Sequence, residues 1–286
     1  DEALHIHWFL TTEEQELLSN KTLHGRLGFA VLLKHFQNEG RFPEHFKDVP
    51  HVVLMYLANQ IDVPRSSLED YALDGRTAKR DRKEILTILG IHRSTKRDRQ
   101  ALSATLKTDL LPHNPSFAVL QEFALAWFKT RFIEPPASEQ LERFIRTTSR
   151  DFESHLLHQI TAGMTAETKA SIDRLLNIPD DNNDTEVADD IDEASQSLTW
   201  LKGQSGNVSL KNILQAIKRV GCLKQMAIPS SFMVKLPLKW LQKYHRRAMT
   251  ESSWELRRHP EHIRYALVAA FCWQRQRDIT DDLIEL

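Results

Sequence analysis

Apolar residues recur at spacings of three and four through most of the chain, the period of helices with one buried face. The first such stretch covers 11–18, where TTEEQELL sets Thr at a helix start with Glu in the first turn. A second runs through Leu27, Ala30, Val31, Leu33 and Phe36 and meets Gly40, a residue suited to ending a helix. Pro43 and Pro50 bracket a loop, after which Val52, Val53, Leu54, Tyr56, Leu57 and Ile61 return to helical spacing. Further helices are predicted over 77–89, 96–110, 116–129 and 138–160, with Gly90, Pro112 and Pro115 as breaks and a turn over 132–136. The pattern fades over 179–193 (PDDNNDTEVADDIDE), an acidic, apolar-poor run that reads as a solvated linker. It resumes over 209–226 and 237–286.

One stretch carries more than periodicity. Over 54–73, LMYLANQIDVPRSSLEDYAL has the spacing of a helix-turn-helix. Small Ala58 sits where the two helices cross, and Leu57, Ile61, Val63, Leu68 and Tyr71 fall where such a unit buries side chains. Asp62 occupies the turn position usually given to Gly, since Asp tolerates the left-handed conformation better than most residues. Charge shifts directly afterwards: Arg76, Lys79, Arg80, Arg82, Lys83, Arg93, Lys96, Arg97 and Arg99 face only Asp81, Glu84 and Asp98. Such a run is ordinarily a solvated helix face. Beside a helix-turn-helix it also suits phosphate contacts that set register while a neighbouring helix reads bases. In the expected reading helix Arg65, Ser66 and Ser67 are suitable donors, whereas Glu69 and Asp70 are not phosphate partners. The helices over 116–129 and 138–160 form a second candidate of this kind, flanked by Arg131, Arg143, Arg146 and Arg150.

Composition narrows the remaining classes. Nine Gly and eleven Pro in 286 residues are too few for a turn-rich β-sandwich or barrel. The 38 basic and 39 acidic residues nearly cancel, so only their distribution speaks for nucleic acid. Two Cys support neither a disulfide framework nor a metal-type spacing, and no apolar run approaches the ~18 residues of a membrane span. A reducing cytoplasm is the natural setting. The chain opens at Asp1 and ends within a helical pattern, and it reads as a fragment.

Catalytic and metal chemistry find little support. KGQSGN near Gly203 lacks the GK[ST] element of a phosphate loop. The pairs His155/His158 and His259/His262 have i,i+3 spacing but no third ligand of matching character, which favours surface or packing roles. Asp189/Asp190 lies in the acidic linker, and Asp281/Asp282 suits a helix start. The six Trp sit mostly in helical patterns and are expected in cores.

The block RLGFAVLLKHFQNEGRFP over 26–43, followed by Val49-Pro50, resembles the N-terminal domain of the Tn-three family of bacterial replicative transposases. The likeness continues to Tyr71, then through Arg76, Thr77, Glu84, Ile85 and Gly90, and resumes at Arg131, Ile133 and Pro135. RYALVAAFCWQRQRDITDDLIEL, over 264–286, resembles the helical region preceding that family's catalytic domain. Two positions depart: Ala78 and Asp81 stand where the family tends to carry Arg and His. The resemblance implies a much longer parent that recognises the terminal inverted repeats of its transposon. It also implies a homodimer in the full-length protein and a later RNase H-like domain that binds magnesium through acidic residues and cuts and joins strands. That domain is absent from these residues, so neither a catalytic site nor a cofactor is expected here.

Together these features predict an all-α chain of tandem helix-turn-helix-type units followed by a helical connector and dimerisation region. A first DNA-binding domain is expected over 1–110, a second over 111–178, an acidic linker over 179–205 and the connector over 206–286. The expected DNA contacts are Arg65, Ser66, Ser67, Arg76, Thr77, Lys79, Arg80, Arg82, Lys83, Arg93, Lys96, Arg97, Arg99, Arg131, Arg143 and Arg146. The expected setting is the bacterial cytoplasm, at the nucleoid, with no membrane partner. A competing reading is an all-helical interaction or scaffold module in which the helix-turn-helix serves packing alone.

Overall fold

The structure, a computed structural model, describes residues 2–177, 197–203 and 209–285. It is 76% helical, with fifteen α-helices and two short strands among the described residues, so the fold is all-α. The acidic run over 179–193 lies outside the described residues.

The chain forms two compact units, one of residues 1–105 with 116–146, the other of 106–115 with 147–286. The first is built around α3 (Leu23–Glu39). From Leu27 to Phe36 every residue of α3 is buried, the pattern of a helix enclosed on all sides. Thr22 Oγ1 caps its start by accepting from Gly25 N, and Gly40 at φ +71 ends it. Lys34 remains tolerable inside because its ammonium reaches Glu14 at 3.2 Å. Glu14 belongs to α2 (Thr12–Ser19), whose capping box with Thr11 matches the predicted helix start. α1 (Glu2–Trp8) is tied to α4 (His51–Gln60) by Gln60, which accepts from Leu10 N at 2.8 Å and donates to Trp8 O at 3.1 Å.

After α4 the chain departs from the predicted helix-turn-helix. Asp62 does take the left-handed conformation, φ +50, and Ala58, Leu57, Val63, Leu68 and Tyr71 are buried. The residues that follow, however, make a single 3-10 turn, Arg65–Leu68, instead of a reading helix. Pro64 supplies no N–H and disfavours helical geometry in the residue before it, and Asp74-Gly75 interrupts the chain again, so α-helix resumes only at α5 (Arg76–Ile88).

α5 is anchored by a buried polar cluster. Asp81, fully buried, accepts from Lys21 Nζ at 2.9 Å and from the Tyr71 hydroxyl at 2.7 Å. Lys21 also reaches Glu84 at 2.7 Å and lies over the Phe29 ring at 4.2 Å. Tyr71 packs flat on Gly28 of α3, where a Cβ would come within 2.5 Å of the ring. Burial and the neighbouring Asp81 carboxylate push the Tyr71 phenol far above its ordinary range.

The first unit is completed by a second group of helices. β1 (His92–Arg93) pairs in parallel with β2 (Ile133–Glu134), with His92 opposite Ile133 and Arg93 opposite Glu134. Between them run α6 (Lys96–Thr105) and α7 (Phe117–Lys129), and α8 (Ser138–Ala162) follows. α6 stops short of the predicted 110, where Leu106–Leu110 forms a π turn. Thr95 and Asp98 cap its start: Asp98 accepts from Thr95 N and Oγ1 at 2.8 and 2.6 Å, which holds its carboxyl below the usual range.

The second unit contains α9 (Ala166–Asn177), α10 (Leu198–Lys202), α11 (Leu210–Gln225), α12 (Ser230–Met233), α13 (Leu238–Thr250), α14 (Ser253–Arg258) and α15 (Glu261–Ile284). α10 stands inside the span predicted as linker, because Leu198 and Leu201 are buried in this unit's core. α15 buries every residue from Tyr265 to Cys272, and Trp240 of α13 donates its indole N–H to Leu111 O at 2.6 Å. No described helix is long and apolar enough to cross a membrane.

The anchor on α5 generates a stability prediction. Lys21→Met leaves the fully buried Asp81 carboxylate without its cation and should cost about 3–5 kcal/mol. Glu84→Gln, at the exposed end of the same cluster, should cost at most ~1 kcal/mol. Urea midpoints of the two variants check the difference; equal losses would show that Asp81 does not depend on Lys21.

Candidate nucleic-acid interface

The sequence of α5 sorts itself by face. Ala78, Asp81, Ile85 and Leu86 are buried, while Arg76, Lys79, Arg80 and Lys83 are exposed. The exposed four sit at i, i+3, i+4 and i+7, one stripe of a 3.6-residue helix. Among the described residues no carboxylate lies within ion-pair distance of any of them. Thr77 is exposed beside the stripe. Arg82 turns away from it, lying over the Phe42 ring at 5.5 Å and donating to Pro43 O at 3.4 Å.

Beside this stripe opens a groove of about 660 Å³, lined by Lys79, Arg82, Lys83, Leu86, Thr87, Ile91, Arg93 and Glu134. The β1–β2 pairing brings the last two residues to it: Arg93 Nε is 3.2 Å from Glu134 Oε2. Glu134 is the one acid on this wall. Burial raises its carboxyl above the ordinary range, against the opposing pull of Arg93 and Arg82.

The other predicted contacts fare differently. Arg65 and Ser66 are exposed on the 3-10 turn, whereas Ser67 is buried and its hydroxyl donates to Pro64 O at 2.7 Å, leaving no donor for a groove. Lys96 and Arg97 are exposed on the first turn of α6, and Arg99 is half-buried there. Arg131 is stacked over the Trp127 ring at 4.3 Å. On α8, Arg143 is exposed, and Arg146 pairs with Glu142 at 2.8 Å and covers the Phe117 ring at 4.5 Å. All sixteen positions fall in the first unit. Two residues that matter to the site were not predicted. Lys21, which orients α5, lies sixty residues from Asp81 and carries no local pattern. Phe132 stands exposed at the start of the strand pair, its carbonyl accepting from His92 N.

In the second unit the histidine pairs serve packing. His158 stacks on His262 with centroids 4.5 Å apart, and His259 Nε2 lies 2.7 Å from Glu251. Among the described residues no cluster of three or more His, Cys, Asp or Glu is arranged to hold a metal ion.

The first unit is thus an all-helical module presenting a cationic stripe and groove. Residues 1–148 match the family described as Domain of unknown function (DUF4158), and the chain belongs to that family. Over its whole length the chain is 26% identical to the transposase for transposon Tn2501 of Escherichia coli, spanning 28% of that protein. It is 24% identical over 91% of its length to the transposase for transposon Tn1546 of Enterococcus faecium, covering 25% of it, and 22% identical to the transposase for transposon Tn3926 of Escherichia coli, covering 28%. The chain therefore spans little more than a quarter of the length of the curated relatives it matches, and it corresponds to the N-terminal region of Tn-three-family transposases.

The raised Glu134 carboxyl yields a pH prediction. A carboxyl whose folded value lies above its unfolded value stabilises the fold fully below the unfolded pKa, and that stabilisation is lost as pH rises through the folded value. Glu134→Gln should therefore raise Tm relative to wild type at neutral pH, and the gap should close below about pH 4. Loss of the Arg93 pair should matter little, since that guanidinium is largely exposed. Thermal melts across the pH range test this; a gap that widens on acidification would overturn the assigned direction.

Proposed function

We propose that this chain is the part of a transposase that recognises DNA, engaging the terminal inverted repeats of its transposon as double-stranded DNA through the first unit. The observation that carries the reading is the stripe Arg76, Lys79, Arg80 and Lys83, four cations on one helix face with no carboxylate partner among the described residues. Cations kept without partners are suited to phosphates, whose counterions they displace on binding. The groove beside the stripe adds Arg93, and Arg65, Lys96, Arg97 and Arg143 extend the exposed positive charge. The names of the matched relatives support the same reading, since each is the transposase of a transposon.

On this reading strand cutting and joining, with the magnesium it requires, belong to a catalytic domain outside these residues, and the protein works as a homodimer at the nucleoid in the bacterial cytoplasm. The competing reading, an interaction module, draws on the exposed apolar stripe Leu210, Leu214 and Ile217 of α11 in the second unit. It predicts weak and equal binding to enriched and scrambled duplexes.

Replacing Arg76, Lys79, Arg80 and Lys83 together by Gln should weaken binding to a duplex enriched by the chain from a randomised pool. The slope of log K against log salt should fall by roughly 3 to 4, the amount expected for four lost phosphate contacts. Fluorescence-anisotropy titrations between low and physiological salt measure both quantities. An unchanged slope would remove α5 from the interface.

A further inference from the structure

Phe132 combines two unfavourable features. Its backbone is left-handed, φ +56, a conformation that bulky residues rarely adopt, and its side chain is 62% exposed. The other described non-glycine residues with positive φ are Asp62, Asn114 and Ala227, two short polar side chains and the smallest side chain with a Cβ. At this position, just beyond the end of α7, helices ordinarily place Gly. An aromatic ring here gains little by burial and strains the chain. Strain retained without compensation inside the fold is an observation that points toward a partner.

The backbone that carries the ring is held on both sides. Phe132 N donates to Lys129 O at 3.2 Å, its carbonyl accepts from His92 N at 3.2 Å, and the next residue, Ile133, is buried. It stands at the edge of the cationic groove. Arg131 before it is stacked over Trp127, and Glu134, two residues on and so about 7 Å along extended chain, lines the groove with Lys79, Arg82, Lys83 and Arg93. An exposed apolar side chain near a cationic groove is an arrangement by which proteins wedge open a base step.

We infer that Phe132 is a wedge that inserts between adjacent base pairs when the cationic face engages duplex DNA, unstacking one step and favouring sequences that unstack readily. This rests on the DNA-binding reading above and adds to it a contact that reads deformability instead of base edges. The left-handed backbone holds the ring outward before binding, so little freedom is lost on insertion.

The test uses the full 286-residue chain and duplexes it enriches from a randomised pool, with 2-aminopurine placed at successive steps. Wild type should raise 2-aminopurine fluorescence at one step. Phe132→Ala should abolish that rise and weaken binding by roughly 5- to 100-fold, the range for losing one base–aromatic stack. Phe132→Leu, which keeps an apolar wedge, should retain part of the signal. Phe132→Gly, which relieves the left-handed strain, should melt at a higher temperature than wild type while losing the signal, a combination that a purely structural role would not give. Duplex binding with no fluorescence rise at any step, or a rise that survives in Phe132→Ala, overturns the wedge and leaves the DNA-binding reading standing. Failure of wild type to enrich any duplex overturns both.

Discussion

The first unit depends on one buried carboxylate. Asp81 sits in the middle of a strongly basic helix and is the one residue there that faces fully inward with a charge. Its partners Lys21 and Tyr71 lie sixty and ten residues before it, and both are supported by α3, through Phe29 under the Lys21 ammonium and Gly28 under the Tyr71 ring. A carboxylate removed from water needs such partners, and satisfying them fixes how α5 is rotated about its own axis. Once that rotation is set, the helical period turns Arg76, Lys79, Arg80 and Lys83 to solvent together.

Charge on the outer surface follows a different logic. Several cations elsewhere are neutralised locally, as in Lys34 with Glu14, Lys243 with Glu153, or Arg247 with Glu251. Among the described residues the α5 stripe has no such pairs, and the groove beside it is lined by a single acid whose burial disfavours ionisation. Like charges collected on one face repel one another, so this arrangement lowers the stability of the isolated chain and is relieved by an anionic partner. Phe132 repeats the theme in conformational terms, with strain and apolar exposure on the same unit.

Much of the architecture was legible from spacing alone. The capping box at Thr11, the end of α3 at Gly40 and the start of α7 after Ser116 follow local rules, and the helices occur there. The left-handed Asp62 and the buried set Leu57, Val63, Leu68 and Tyr71 were equally readable. Burial spacing alone does not imply a second helix. Leu68 and Tyr71 reach the core from a 3-10 turn and a loop, and Pro64 with Asp74-Gly75 was the local signal against an α-helix. The same turn decides Ser67, whose hydroxyl returns to Pro64 O instead of facing outward.

The amino-acid sequence by itself determined the helical class, most helix starts and stops, the clustering of cations between Arg76 and Arg99, and the likeness to transposase N-terminal regions, because each resides in residues close together along the chain or in a contiguous motif. Tertiary structure alone decided which of those cations are presented and which are consumed. That Lys21 would hold Asp81, that Arg82 would turn to Phe42 and Pro43, and that a two-residue strand pair would carry Arg93 and Glu134 to the flank of α5 are outcomes of contacts across some forty to sixty residues. Such contacts are selected by the collective packing of α3 and its neighbours, and no local period encodes them.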